Sequence, residues 1–413
     1  MIINRIGTYH GAPYRYINYL KENPEIHIRW IHLYNDPMVE NLKEEIRSLD
    51  LKNISFHRIS KLNSKYLRLL QRFSLITQRF GILQNRFGLN LFRIILKIIV
   101  LDNTTKYFFN DNSSINWSGN NDVDNSLILT AWLKIKFPKI KIIYSYKEHR
   151  CNFRIDEGLA LMLSDKIIIP TASSIDSLSG IYKYNFSSKT VFGDEDWRSK
   201  SILDFIANND SIQKLSSSDK LPHVIFLTRY AEYNETTDIR RGSRINFLSI
   251  MRTFAENNIK VHLKAMCICD TVGNGCEISN TPYHKLAEEY PNYVFIEKPM
   301  NLNINEDYLA LSKFDFGIIH NYKEGEETNN FSKMNIPNRL FEYMAANVKP
   351  IIIRNTLIEV EDIILKENYG IIADTYKDAA NQMHEKINEN STTKANYQYS
   401  QSFESFMETL FSV

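Results

Sequence analysis

Short runs rich in β-branched residues alternate with longer amphipathic stretches from one end of the chain to the other, the pattern of parallel sheets covered by helices on both faces. Strands are expected at 2–5, 26–33, 54–58, 106–110, 141–146, 166–170 and 190–193, and again at 223–228, 260–266, 293–296, 314–319, 349–353 and 370–372. Between the two series, the polar stretch 199–222 contains Ser216-Ser217-Ser218-Asp219-Lys220-Leu221-Pro222 and reads as a turn-forming linker. The expected division is a first domain at 1–198, a linker at 199–222, a second domain at 223–390, and a terminal helix in 391–413 that packs back on the first domain. At 413 residues the chain is too long for one core, and 43% hydrophobic residues suffice for two. The fold class is α/β, with two doubly wound Rossmann-like domains facing a cleft at the carboxyl ends of their strands.

The most informative stretch runs from Asn335 to Ile353. Pro337 suits a first helical turn, where its missing N–H is no loss, and Leu340, Phe341, Met344 and Ala345 recur at the spacing of one apolar face. Asn347 can take the left-handed conformation that closes a helix, and Ile351 to Ile353 form a buried parallel strand. Asn338 and Glu342, four residues apart, share a face at the helix start, a place suited to a ribose and a diphosphate.

The wording Pro337-Asn338-Arg339-Leu340-Phe341-Glu342-Tyr343-Met344-Ala345-Ala346-Asn347 resembles the "P-N-K-L-F-E-Y-M-A-A-G" signature of retaining glycosyltransferases with the GT-B fold, the group 1 family. The chain departs from that pattern at Arg339 for Lys, Asn347 for Gly, and Met334 where many members have the first acid of a Glu pair. A second match is the strand 224–228 with Arg229, followed by Arg241-Gly242 before a helix near Phe247, which is similar to the family's "V-G-R-L … K-G" element. The resemblance implies that Arg229 and Arg241 contact the donor diphosphate, with Arg240 and Arg244 as alternatives for the second cation. It further implies that Glu342 holds the ribose and that Pro337, Asn338 and Arg339 support the phosphates. In the first half, Gly11-Ala12 resembles the "G-G-A-E-R" turn, and 141–148 with Glu157 and Asp165 resembles "V-Y-D-x-H-D … E … A-D-x-V-I", with Lys147 where the family often has His. Gly11 is then a donor-side residue, and His10, Lys147 and Glu148 are acceptor-side residues.

Net charge of +2 conceals an uneven distribution. Positions 51–100 contain no Asp or Glu, and Lys65, Arg72, Arg79, Arg86 and Arg93 recur every seven residues between Phe, Leu and Ile. On a helix these cations drift by only about 20° per heptad, giving a basic stripe suited to an anionic membrane surface. The alternative is a domain helix with solvated arginines. Gly81 and Gly88 mark a possible break. Nucleic acid is not expected as a partner, because no nucleic-acid module accompanies the charge.

Phosphate loops of the Gly-x-Gly-x-x-Gly and Gly-x4-Gly-Lys-Ser/Thr types do not occur. Four cysteines make no secreted disulfide framework, and the first residues lack a signal-peptide layout, so the expected compartment is the cytoplasm, peripheral on the inner face of the plasma membrane. Cys267, Cys269 and Cys276 lack a fourth ligand for zinc, Asp194-Glu195-Asp196 follows a strand, and neither supports a metal. Glu324, Glu326 and Glu327 read either as sugar contacts or as loop solubility, and His149 either as an acceptor-side residue or as a structural histidine. The resulting expectation is transfer of a sugar from a nucleotide sugar to a glycan or lipid-linked acceptor in bacterial surface-polysaccharide synthesis, with no cofactor and no metal. A sugar-nucleotide epimerase and a catalytically silent partner in a glycan-assembly complex are the alternatives.

Overall fold

The computed structural model describes residues 1–6, 19–32, 43, 51–58, 69–70, 72–74, 76–77, 80, 83–98, 115–119, 126–146, 153–193, 198–209, 212–233, 246–270, 275–277, 279–300, 302, 305–320, 336–388 and 402–412. The chain forms two compact units, Met1–Ser199 with Gln401–Val413, and Lys200–Ser400.

Unit 1 is built on β1 (Ile2–Ile6), β2 (His27–His32), β3 (Ile54–Arg58), β4 (Ile115–Gly119), β5 (Ile142–Ser145), β6 (Lys166–Ile169) and β7 (Thr190–Phe192). They form one parallel sheet in the order β3-β2-β1-β4-β5-β6-β7. Its helices include α1 (Arg86–Ile98), α2 (Ser126–Lys136), α3 (Ile155–Leu163) and α4 (Ala172–Tyr182). Strand alternation divides the core between two layers. Ile142, Tyr144, Ile167 and Ile169 pack with α1 to α4 on one face, while Ile143 and Ile168 point to the other.

Unit 2 opens with α5 (Lys200–Asn208) and the short α6 (Ser216–Asp219), so the stretch expected as a linker carries two helices of the second unit. The amphipathic pattern of α5 explains the difference, since Ile202 and Ile206 are buried. The sheet comprises β8 (His223–Glu232), β9 (Lys260–Cys269), β10 (Val294–Ile296), β11 (Phe316–Ile318), β12 (Lys349–Ile353) and β13 (Ile371–Ala373), parallel in the order β10-β9-β8-β11-β12-β13. Around it lie α7 (Leu248–Glu256), α8 (Pro282–Glu289), α9 (Asn305–Leu311), α10 (Arg339–Ala345), α11 (Ile358–Glu367) and α12 (Tyr376–Asn388). Val224 and Phe226 enter one layer of the core and Ile225 and Leu227 the other. Finally α13 (Phe403–Phe411) returns to unit 1, where Phe403, Phe406, Met407 and Leu410 cover Ile3, Trp117 and Ile168.

Three further expectations change. Strand β4 is central in its sheet yet reads Ile-Asn-Trp-Ser-Gly, and it was not expected; the anticipated strand at 106–110 lies outside the described residues. A polar residue is tolerated there because the Asn4 amide donates to Asn116 Oδ1 at 2.9 Å and Asn116 Nδ2 donates to Lys141 O at 2.9 Å. The basic heptad stretch is not one helix. Leu83 takes a positive φ of 58°, Asn85 Oδ1 accepts from Gly88 N–H at 3.0 Å, and α1 starts at Arg86. Lastly, Cys267 is disulfide-bonded to Cys276, with Cα atoms 5.0 Å apart, a pairing the sequence did not suggest. After β9 the chain folds back so that Glu277 N–H donates to Ile268 O at 2.7 Å, which brings Cys276 beside Cys267.

At the amino-terminal end of unit 2's sheet lies a chain of titratable groups. His223 Nε2 meets Asp219 at 3.1 Å, His223 Nδ1 meets His262 Nε2 at 2.9 Å, and His262 Nδ1 meets Glu297 at 2.5 Å. Lys260 pairs with Asp219 and Lys264 with Glu297. Burial holds the His223 imidazole down to about 4, and hydrogen bonds, first of all from His262, hold Glu297 down to about 2. A depressed folded pKa means that the unfolded chain takes up the proton first, so His223 contributes stability above its ordinary value of 6.5 that is lost as pH falls toward 4. The urea midpoint of unit 2 is therefore expected to drop between pH 7 and pH 4.5; an unchanged midpoint would refute the assignment.

Candidate functional site

In unit 2, β9 and β10 lie on one side of β8, and β11, β12 and β13 lie on the other. The order reverses between β8 and β11, and ligands of open α/β sheets bind outside the carboxyl ends of the strands at such a point. Beyond its pairing with β11 at Val224 and Ile225, β8 continues to Glu232 beside β9 alone. Arg229 thus lies inside a strand rather than after it, because the cross-strand ladder with β9 extends the backbone past the predicted end. Its side chain is exposed, with the guanidinium 5.4 Å from the Tyr230 ring centroid.

Helix α10 is seated on the same point. Asn338 is its N-cap residue, and Asn347 after its end has a φ of 55°, the left-handed closure expected from sequence. The buried Tyr343 hydroxyl accepts from Leu227 N–H at 3.3 Å and lies 3.3 Å from Ile318 O and 3.4 Å from Ile225 O, either of which can take its proton. One phenol therefore ties α10 to β8 two residues before Arg229, and to β11 at its carboxyl end. Burial raises the Tyr343 pKa, so the hydroxyl stays protonated and able to donate. Close seating depends on Gly317, where an added Cβ would sit 2.6 Å from the Tyr343 ring.

Arg339 stands four residues before Tyr343, one turn along the same face of α10. It is half-buried, and among the described residues its Nη1 is buried without a hydrogen-bond partner. A guanidinium nitrogen withdrawn from water and left unpaired is costly unless an anion completes it. Glu342 is half-buried and Asn338 exposed on the same helix, and both engage neighbouring groups. The structure thus gathers Arg229, Pro337, Asn338, Arg339 and Glu342 into one unit, with Tyr343 linking the helix to the strand that carries Arg229.

The other expected site residues divide by description. Arg241 with its alternatives Arg240 and Arg244, and His10, Gly11, Lys147, Glu148, Lys65 and Arg79, lie outside the described residues, as do His149, the acids at 194–196 and those at 324–327. Arg72, Arg86 and Arg93 are exposed on unit 1. Sequence reasoning missed Tyr343, Gly317 and His320. The last of these lies two residues beyond β11 and is buried, with Nδ1 2.5 Å from the Tyr376 hydroxyl. A histidine closing an apolar strand at a predicted carboxyl end was the available signal.

No family model matches the chain, and no curated protein sequence matches it. Solved structures do. Anabaena HepE in complex with UDP aligns with a TM-score of 0.54 at 10% identity over 100% of both chains. The UDP-GlcNAc 2-epimerase from Neisseria meningitidis bound to UDP-GlcNAc gives 0.53 at 11% identity, also over 100% of both. A glycosyltransferase from Rickettsia africae gives 0.50 at 14% identity, over 100% of this chain and 93% of that one. The fold is GT-B. Both parallel sheets described above, of seven and six strands, belong to that architecture.

Proposed function

We propose that the chain is a glycosyltransferase that takes its sugar from a nucleoside-diphosphate donor held by unit 2. The observation that carries this reading is the Arg339 guanidinium nitrogen, buried and unpartnered among the described residues, on a helix fastened by Tyr343 to the switch point of the sheet. The UDP bound by Anabaena HepE and the UDP-GlcNAc bound by the Neisseria epimerase, two proteins of the same fold, support a diphosphate as the missing anion. Departure of a nucleoside diphosphate builds negative charge on phosphate, and fixed cations stabilise it. Arg229 and Arg339 are assigned that task, with Arg241 as a further cation, Pro337 and Asn338 shaping the phosphate end, and Glu342 accepting hydrogen bonds from the ribose hydroxyls. Charge neutralisation by arginine leaves no step that requires a divalent metal or a cofactor. The retaining outcome is part of the proposal and follows the resemblance of the α10 segment.

The acceptor is proposed to be a lipid-linked glycan in bacterial surface-polysaccharide synthesis, met at the inner face of the plasma membrane by unit 1, with His10, Lys147 and Glu148 assigned to the acceptor and Gly11 to the donor. No helix among the described residues is long and apolar enough to cross a membrane. An epimerase is the second reading, favoured by the fold shared with the Neisseria enzyme. Thermal-shift measurements against UDP-, GDP-, ADP- and CMP-sugars are expected to give stabilisation by one nucleotide class. Incubation with that sugar alone then separates the readings, since an epimerase converts it without an acceptor and a transferase does not. No shift with any nucleotide would remove both and leave the silent-partner alternative.

A further inference from the structure

Unit 1 presents an apolar ridge that its own core leaves uncovered. On α1, Gly88, Leu89, Phe92 and Leu96 are buried, while Phe87, Ile94 and Ile98 are 67%, 54% and 73% exposed. At 3.6 residues per turn these three fall within about 40° of one another, and Arg86, Arg93 and Lys97 form a second row about 100° around the helix. Those cations are exposed as well.

The preceding helical residues repeat the arrangement. Residues 69–70, 72–74, 76–77 and 80 are helical, with Leu70, Ser74 and Thr77 buried. Leu69, Ile76 and Phe80 are 58%, 50% and 67% exposed, beside the exposed Arg72. Phe73 stacks on Phe92 with ring centroids 6.1 Å apart, so the two helical stretches pack together. Among the described residues, six of the eleven exposed large hydrophobic side chains fall in this stretch of thirty residues, 69–98, and single scattered ones would need no explanation.

We infer that this face docks on an anionic lipid bilayer, with the apolar ridge at the acyl boundary and the arginine row on the phosphate headgroups. Charge complementarity selects that occupant. A second copy would set the exposed Arg72, Arg86, Arg93 and Lys97 of one chain against those of the other, with no Asp or Glu from positions 51–100 to balance them. A nucleic acid would satisfy the cations but leave the ridge in water. Interfacial helices join an apolar ridge to flanking Lys and Arg in this manner.

The inference deepens the proposal of a lipid-linked acceptor, but flotation needs no donor, so the two can fail separately. The full chain is floated with phosphatidylcholine vesicles with and without phosphatidylglycerol. Two variants are compared: Phe87→Ser with Ile94→Ser and Ile98→Ser, and Arg72→Gln with Arg86→Gln, Arg93→Gln and Lys97→Gln. All seven positions are exposed, so circular dichroism melts are expected to match the wild type. Binding is expected on the anionic vesicles alone, about tenfold weaker or more in each variant. Wild-type flotation by the serine variant, or equal binding to uncharged vesicles, would overturn the inference. So would sedimentation showing a dimer that the serine substitutions dissolve.

Discussion

Arg229→Ala is expected to abolish measurable transfer while the protein keeps its fold, and Arg339→Gln is expected to do the same through the second cation proposed for the site. Removing one preorganised group that stabilises developing charge costs about 10²–10³ in kcat. Arg229 is exposed, so its truncation changes stability little. Arg339 differs in a measurable way. Its Nη1 is buried without a partner among the described residues, so replacing the charge by a neutral amide is expected to leave the free protein as stable as before, or more so, while nucleotide binding weakens. Thermal melts with and without nucleotide sugar, set beside turnover, check both statements. Wild-type turnover in Arg229→Ala would end its assignment, and an undiminished nucleotide shift in Arg339→Gln would end the other.

Asp156→Ala is expected to destabilise unit 1 by about 3–5 kcal/mol, the range for stripping one partner from a buried ion pair. Arg154 and Asp156 are 3% and 1% exposed, joined by Nε to Oδ1 at 3.0 Å and Nη2 to Oδ2 at 2.7 Å. Asp156 Oδ1 also accepts from the Ser74 hydroxyl at 2.7 Å, which ties the helical residues 72–74 to the start of α3. Burial is the largest single influence and opposes ionisation of Asp156, but the Arg154 charge together with hydrogen bonds from Arg154, Ser74 and the Glu157 N–H outweighs it, and the carboxyl stays below its usual range. Alanine leaves a buried guanidinium without its counter-charge and a serine without its acceptor. The double replacement Arg154→Met with Asp156→Leu recovers most of the loss, because neither charge is then stranded. Urea unfolding measures both, and a loss under 1 kcal/mol in Asp156→Ala would show that water reaches the pair.

Nearby, the Tyr182 hydroxyl donates to Glu157 at 2.5 Å, and its ring fills the space in which a Cβ at Gly158 would lie, 2.6 Å away. Glu157 and Asp165 had been grouped in the acceptor-half resemblance. The structure gives Glu157 a buried partner in Tyr182, and gives Asp165 an ion pair with Lys134 at 2.7 Å. Both act within unit 1's own packing.

Much of the architecture was legible in the residues because its information is local. Parallel strands buried on both faces require unbroken β-branched runs, and Ile351 to Ile353 or Ile167 to Ile169 announce themselves. The helix containing Glu342 and its closure at Asn347 follow from proline placement, apolar spacing and an asparagine able to take positive φ. The remainder depended on partners far along the chain. Strand β4 forms because Asn4 and the Lys141 carbonyl satisfy Asn116 across 112 and 25 residues. Arg229 is held in a strand because β9 pairs beside it, and Arg339 is drawn into the protein because Gly317 lets Tyr343 reach Ile225 and Leu227 in β8 and the end of β11. The basic heptads were visible as charge, but only packing decides which apolar side chains turn inward. Leu89, Phe92 and Leu96 enter the core, whereas Phe87, Ile94 and Ile98 do not. A sequence prescribes periodicity and backbone preference residue by residue. Burial, hydrogen-bond satisfaction and the seat of a charge are settled by what folding brings together.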